Sequence, residues 1–120
     1  MAPKLLTFPY QELSLEERLE ISTKIRQKYP SYLPILVSMK GRDLKKKKYL
    51  VPEDVVIGKL IYSIREENQL SSYESLFLFA GDDANSSLVM ISHTALQVYS
   101  KYRSKDGFLY ITVAVENTFG

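Results

Sequence analysis

The residues able to do chemistry are few. The 120-residue chain has one histidine, His93, and no cysteine. Without a thiol there is no thiolate nucleophile, no disulfide and no cysteine-held metal. Serine is then the remaining nucleophile for His93 to activate. The strand–turn–helix GxSxG elbow that would aim such a serine is missing. A lone histidine just ahead of a helical segment is ordinarily a surface or capping residue. The glycines, Gly41, Gly58, Gly81, Gly107 and Gly120, are too scattered to cradle a phosphate. The acidic pairs Asp82-Asp83 and Glu66-Glu67 lack further ligands at metal spacing. They read as a solvated turn and a solvated helix end. The expectation is a chain that is not an enzyme and holds no cofactor or metal. The strongest charge feature is the run Lys45-Lys46-Lys47-Lys48. It fits either a solvated loop entering a strand or a positive rim beside an edge strand, attractive to acidic peptides. Nucleic acid fits poorly, because the net charge is only +2 and aromatics are not interleaved with the lysines.

The bulk numbers set the frame for these side chains. At 120 residues, with 45% apolar and 25% charged residues, the chain is one soluble globular domain able to bury a core without staples. Its longest apolar stretches fall well short of the ~20 residues that span a bilayer. Residues Met1–Tyr10 lack a basic stretch followed by an apolar signal core. A cytosolic protein is expected, with any membrane attachment added by later chemistry.

The elements that must position the side chains follow from periodicity. Pro3 and Pro9 break up the first ten residues into an arm. A helix is predicted from Leu15 to about Lys28, with Ser14 and Glu17 as its capping box and Tyr29-Pro30 as its end. Leu15, Leu19, Ser22 and Arg26 trace one stripe on it, and Arg18, Ile21 and Ile25 the neighbouring one. Pro34–Met39 and Lys48–Pro52 read as strands around a turn at Gly41-Arg42-Asp43. In the second, Tyr49 and Val51 face one way and Leu50 the other, and Pro52 marks an edge strand or strand end. A helix is expected over Glu53–Glu67, capped by Asp54, with Val56 or Ile57, Leu60, Ile61 and Ile64 as its apolar face. Strands follow at Leu76–Ala80 and Leu88–Ile91, separated by a turn at Gly81-Asp82-Asp83. A short helix is expected over Thr94–Arg103. Asp106-Gly107 then turns into Phe108–Val115, where Leu109, Ile111, Val113 and Val115 share one face and Phe108, Tyr110 and Thr112 the other. The order helix, β, β, helix, β, β, helix, β is an α+β, ubiquitin-like β-grasp pattern with an N-terminal helical extension.

Four segments carry a family resemblance. They are Lys24-Ile25-Arg26-Gln27-Lys28-Tyr29-Pro30 with Leu33-Pro34-Ile35-Leu36-Val37; Lys46-Lys47-Lys48-Tyr49-Leu50-Val51-Pro52; Gly58 to Ile64-Arg65; and Asp106-Gly107-Phe108-Leu109-Tyr110 to Glu116-Asn117-Thr118-Phe119-Gly120. Ser14-Leu15-Glu16-Glu17-Arg18 extends the match upstream. In this order the chain resembles the autophagy-related ubiquitin-like modifiers: the autophagy protein eight, GABA-receptor-associated and light-chain-three group. The resemblance implies an arm and helix over residues 1–30, a ubiquitin-like domain over 31–115 and a flexible conjugation tail over 116–120. It implies a cysteine protease that exposes or releases the terminal glycine, and E1-like and E2-like enzymes that activate Gly120. These pass it to phosphatidylethanolamine on the autophagosome membrane, with Phe119 as a recognition residue. Glycine suits that role, because a residue without Cβ passes a narrow channel.

The same resemblance implies receptors that dock short aromatic-x-x-aliphatic motifs by adding a strand beside Lys48–Val51. The aromatic pocket would comprise Ile21, Ile25, Pro34, Leu36, Lys48, Leu50 and Phe108. The aliphatic pocket would comprise Val37, Tyr49, Val51, Pro52, Val55, Leu60 and Ile64, with Arg65 near it. The competing reading for the apolar members, Leu36 and Ile64 above all, is plain core. The chain departs from the family pattern in several places. Tyr32 stands in place of an arginine, Ile21 of an acid, Leu15 of an aromatic and Glu66-Glu67 of a basic pair. The loop from Val37 to Lys45 is shorter, and the Pro-Pro pair near residues 86–90 is missing. Each lost charge pair is worth ~0.2–1 kcal/mol, so weaker recognition of acidic motifs is expected. The alternative to a conjugated modifier is a non-conjugated ubiquitin-fold adaptor that acts only by binding peptides.

Overall fold

A computed structural model describes residues 8–81 and 86–117. The first residues of the arm, the turn residues Asp82 and Asp83, and the tail residues Phe119 and Gly120 lie outside that range. The elements are α1 (Leu15–Lys28), β1 (Tyr32–Met39), β2 (Lys48–Pro52), α2 (Ile57–Glu67), β3 (Glu74–Ala80), β4 (Ser87–Leu88), α3 (Ala95–Tyr102) and β5 (Leu109–Asn117). They follow the expected order. The strands form one five-stranded sheet in the order β2-β1-β5-β3-β4. β1 and β5 run parallel at its centre, while the β1–β2, β3–β5 and β3–β4 pairs are antiparallel.

Both faces of the central pair are covered, so β1 is buried from Leu33 to Met39. Alternation divides its side chains. Leu33, Ile35, Val37 and Met39 join Leu109, Ile111 and Val113 of β5 in the main core, with Ile57, Leu60 and Ile64 of α2 and Ala95, Val98 and Tyr99 of α3. Pro34 and Leu36 share the opposite face with Phe108. That face is covered by α1. The capping box opening α1 is formed as the sequence requires: the Glu17 amide donates to Ser14 Oγ at 3.1 Å, and the Ser14 amide to Glu17 Oε1 at 3.0 Å.

The contact between α1 and the sheet is polar at its centre. Leu15 and Leu19 are 45% and 44% exposed, and Ser22 is the fully buried residue of the helix. Ser22 Oγ donates to the Asp106 carbonyl at 2.5 Å. Gly107, with φ +85°, makes room for it: a Cβ there would lie 2.3 Å from Ser22 Oγ. The buried Asp106 carboxylate accepts from the Phe108 amide at 2.9 Å and from the Tyr110 hydroxyl, and lies 3.5 Å from Arg18 Nε. Burial, reinforced by that carboxylate, pushes the Tyr110 hydroxyl well above its ordinary pKa.

Several boundaries differ from expectation. α2 starts at Ile57 rather than Glu53, its N-cap is Val56, and no side chain caps it, so Asp54 has no capping role. The reason is tertiary. The Glu53 amide donates to Ser31 O at 3.0 Å, while the Glu53 and Val55 carbonyls accept from Leu96 and Ala95 at 2.9 and 2.7 Å. The first α2 amides, Ile57 and Gly58, donate to His93 O and Ile91 O at 2.8 and 3.0 Å. The loop around His93 thus does the work of an N-cap. β4 covers only Ser87–Leu88; Val89 gives one further hydrogen bond to Leu78 O at 2.8 Å, and beyond it the Ile91 and His93 carbonyls turn to α2. β5 runs on to Asn117, pairing Glu116 with Ser75 and Asn117 with Glu74. The first two residues of the expected 116–120 tail therefore belong to the sheet.

Candidate peptide-docking groove

β2 is an edge strand, and its register decides what it offers. Val37 donates to Lys47 O at 2.8 Å, and the register sets Ile35 opposite Tyr49 and Leu33 opposite Val51. In an antiparallel ladder, hydrogen-bonded and open pairs alternate. The open pairs are then Leu36–Lys48 and Pro34–Leu50. Pro34, which has no amide proton, sits in one of them at no cost to the ladder. The amides and carbonyls of Lys48 and Leu50 consequently point to the free edge. Among the described residues no backbone group pairs with them, so a strand laid beside β2 finds them open.

The Lys48 and Leu50 side chains turn to the α1 face. There a cavity of 180 Å³ is lined by Ile25, Pro34, Leu36, Lys48, Leu50 and Phe108, together with Tyr10, Tyr29, Ile35 and Tyr49. Six of the seven residues expected in the aromatic pocket are brought together. Ile21, half-buried on α1, is not in the lining. The lining is almost wholly apolar, and Leu50, 41% exposed, forms part of the rim.

Tyr10 and Tyr29 are lining residues that the sequence pattern did not single out. Tyr10 belongs to the arm and Tyr29 is the C-cap of α1. Neither follows a helix or strand period. The one available signal was an aromatic beside each proline, in Pro9-Tyr10 and Tyr29-Pro30.

The other side of β2 differs. Val37, Tyr49, Val51, Leu60 and Ile64 are all under 10% exposed and belong to the main core. Val55 packs against that core from its margin, and Pro52 is half-buried. The Tyr49 hydroxyl accepts from Asn68 Nδ2 at 3.0 Å, and burial raises its pKa. Asn68 also donates to Ile64 O at 3.0 Å and accepts from the Lys46 amide at 2.7 Å, locking the end of α2 to the approach to β2. Arg65 turns away from β2. Its Nη1 donates to the carbonyls of Ser71 and Glu74 at 2.5 and 2.9 Å. Glu74 in turn takes a two-point contact from Arg42, at 3.0 and 2.5 Å, which holds its carboxyl below the usual range.

The lysine run is divided among different partners. Lys45 donates to Gln69 Oε1 at 2.6 Å, Lys46 lies 3.9 Å from Glu67 and Lys47 pairs with Asp43. Lys48 instead reaches Tyr10, its Nζ 3.4 Å from the hydroxyl and 5.1 Å from the ring centre. The run is therefore neither a uniform solvated loop nor a uniform positive rim. The Lys46–Glu67 contact also gives one of the departing acids a local role, drawing charge away from the rim. Tyr32 lies edge-on to Tyr29 at 6.2 Å, and its carbonyl accepts from Arg26 Nη1 at 2.8 Å.

Among the described residues, no group of three or more His, Asp or Glu side chains is placed to hold a metal ion, and no helix is long and apolar enough to cross a membrane.

Residues 17–120 match the family model described as autophagy protein Atg8, ubiquitin-like. The chain is 40% identical over 111 residues to autophagy-related protein 8 of Dictyostelium discoideum, covering 88% of each chain. It is 38% identical over 110 residues to autophagy-related protein 8b of Arabidopsis thaliana, covering 88% of this chain and 87% of that one. The crystal structure of Trypanosoma brucei ATG8 superposes with a TM-score of 0.79 at 31% identity, covering 93% of this chain and 97% of that one. On fold, sequence and structural likeness together, the chain belongs to the Atg8 family of ubiquitin-like autophagy proteins.

Proposed function

We propose that this Atg8-family chain is a conjugated modifier whose groove recruits receptors carrying short aromatic-x-x-aliphatic motifs. The observation that carries the docking half is the free edge of β2 beside an apolar cavity of 180 Å³ with Lys48 at its mouth. Backbone pairing supplies affinity and the cavity supplies selectivity for a ring. A carboxylate flanking the motif is met by the Lys48 ammonium. Lys48→Glu lowers affinity for such a peptide while the melting temperature holds. Equal affinity of the variant and the parent places the docking site elsewhere.

The conjugation half rests on family membership, since the family match runs to residue 120 and therefore includes Phe119 and Gly120. Gly120 is joined to phosphatidylethanolamine by E1-like and E2-like enzymes after a cysteine protease exposes it, and the same class of protease releases it. The chain is not itself an enzyme, and the bond-making groups belong to those partners. Before conjugation it is cytoplasmic. Afterwards two acyl chains hold it on the autophagosome membrane, where a single chain would anchor only marginally. The test is reconstitution with the cognate E1-like and E2-like enzymes, ATP and liposomes containing phosphatidylethanolamine. The parent chain should float with the liposomes and Gly120→Ala should not. Equal partition of the two rejects conjugation and leaves a peptide-binding adaptor.

A further inference from the structure

We infer that Tyr10 is a specificity-determining wall of the α1-side pocket: it holds the Lys48 ammonium at the mouth, and so sets how strongly the pocket distinguishes a ring flanked by a carboxylate from the same ring flanked by a neutral amide. The inference rests on the peptide-docking reading above and adds a residue from outside the β-grasp. Three contacts place Tyr10. Its ring stacks on Phe108, centres 5.6 Å apart and planes inclined at 30°. Its hydroxyl accepts from Lys48 Nζ at 3.4 Å, and its ring lies 5.1 Å from the same ammonium. Its side chain lines the cavity together with Ile25, Leu36 and Leu50.

The backbone shows that this placement is imposed. Tyr10 has φ +67°, a left-handed conformation that a bulky side chain adopts only where surrounding contacts hold it. Those contacts are visible. Phe8 packs edge-on against Tyr110 at 4.9 Å. Gln11 donates to Phe8 O at 3.3 Å and Leu13 to Tyr10 O at 3.0 Å, closing turns on either side. The cavity persists with Tyr10 in position, so the ring is a wall and not a plug.

The charge argument selects the ligand. Lys46 and Lys47 have carboxylate partners in Glu67 and Asp43, whereas among the described residues the Lys48 ammonium reaches the neutral phenol of Tyr10. An ammonium has three donors. With one directed to Tyr10, others are left for a carboxylate arriving beside the β2 edge. Tyr10 thus limits the directions Lys48 samples and adds apolar ring surface to the wall of the cavity.

The experiment measures binding of two synthetic peptides, Asp-Trp-x-x-Leu and Asn-Trp-x-x-Leu with identical flanks, to the full chain by titration calorimetry. The receptors are the parent chain, Tyr10→Ala and Tyr10→Phe. The parent should prefer the Asp peptide. Tyr10→Ala should bind it about three- to tenfold more weakly, the worth of one ring contact, and lose most of the Asp-over-Asn preference. Tyr10→Phe keeps the ring and should retain most of the affinity with a reduced preference. Should Tyr10→Ala fold poorly, Tyr10→Phe still decides through the preference, which a merely structural role would leave unchanged. Tyr10→Ala binding as well as the parent, or more tightly, with the preference intact, overturns the Tyr10 inference alone. Binding of neither peptide by the parent overturns the docking reading and the inference with it.

Discussion

The two sides of β2 are built from alternate residues of one five-residue strand, yet they are finished differently. Toward α1, Lys48 and Leu50 look into a cavity of 180 Å³. Toward α2, Tyr49 and Val51 are sealed in the core against Leu60 and Ile64. The cause is how each helix is attached. α1 is held at its centre by Ser22, Asp106 and Gly107, small or polar groups that bring the helix close at one point and leave apolar space beside it. α2 is held by Ile57, Leu60 and Ile64, all buried to 3% exposure or less. One half of the groove is thus open in the free protein. On the docking proposed above, the other would have to part α2 from β2 before a ligand side chain could enter, exposing side chains worth roughly 1.5–3 kcal/mol each when buried. A peptide is expected to seat its ring first and its aliphatic residue second.

The largest test of that contrast is Ile64→Ala. As a core truncation it should cost about 2–5 kcal/mol of unfolding free energy in a denaturant titration. A loss below about 1 kcal/mol would mean that the α2 side is not core, and the contrast would collapse. Next is Gly107→Ala, which places a methyl against Ser22 at a left-handed backbone position. It should cost about 1–3 kcal/mol and speed hydrogen exchange in α1 while β1 and β5 stay protected. Uniform exchange across the sheet would show that α1 is not a separable layer. Leu50→Ala should change stability by no more than about 1 kcal/mol, because that side chain is partly exposed, while weakening an aromatic-motif peptide about fivefold or more. Equal losses in stability and binding would make the open side core as well.

The smallest effect concerns Glu74, whose carbonyl holds Arg65 and whose carboxylate is held by Arg42. The Arg42 hydrogen bonds lower its pKa in the folded state. A depressed carboxylate adds stability above its unfolded pKa, and that stability is lost as pH falls through the folded value. The melting-temperature gap between the parent and Glu74→Gln should be level near neutrality and close as pH drops below the ordinary carboxylate range. A gap unchanged into acid would leave Arg42 without influence on Glu74.

Much of this architecture is legible in the sequence because local rules coincide with it. The Ser14–Glu17 box, the two faces of Lys48–Pro52 and the alternation in Phe108–Val115 all describe short-range geometry that the fold keeps. The start of α2 was not legible. Glu53 and Asp54 look like a helix opening, but hydrogen bonds to the carbonyls of Ser31 and of the loop at His93, and from the amides of Ala95 and Leu96, take their place. Within the aromatic pocket, Ile25, Pro34, Leu36, Lys48, Leu50 and Phe108 could be named in advance from the family pattern. Tyr10 and Tyr29 could not, since they reach the cavity from an arm and a helix cap with no period to betray them.

By itself the sequence determined the order of elements, the family and the lack of a cysteine nucleophile. Each of these depends on residue type, or on short motifs and their order along the chain. Only the tertiary structure decided that one half of the groove is open and the other closed, that Lys46 and Lys47 find carboxylates, and that Lys48 turns to Tyr10. Those outcomes depend on how closely two helices approach a sheet and on which charge comes nearest to which. Such distances are set by groups far apart in the chain, as when Gly107 admits Ser22 from across the fold.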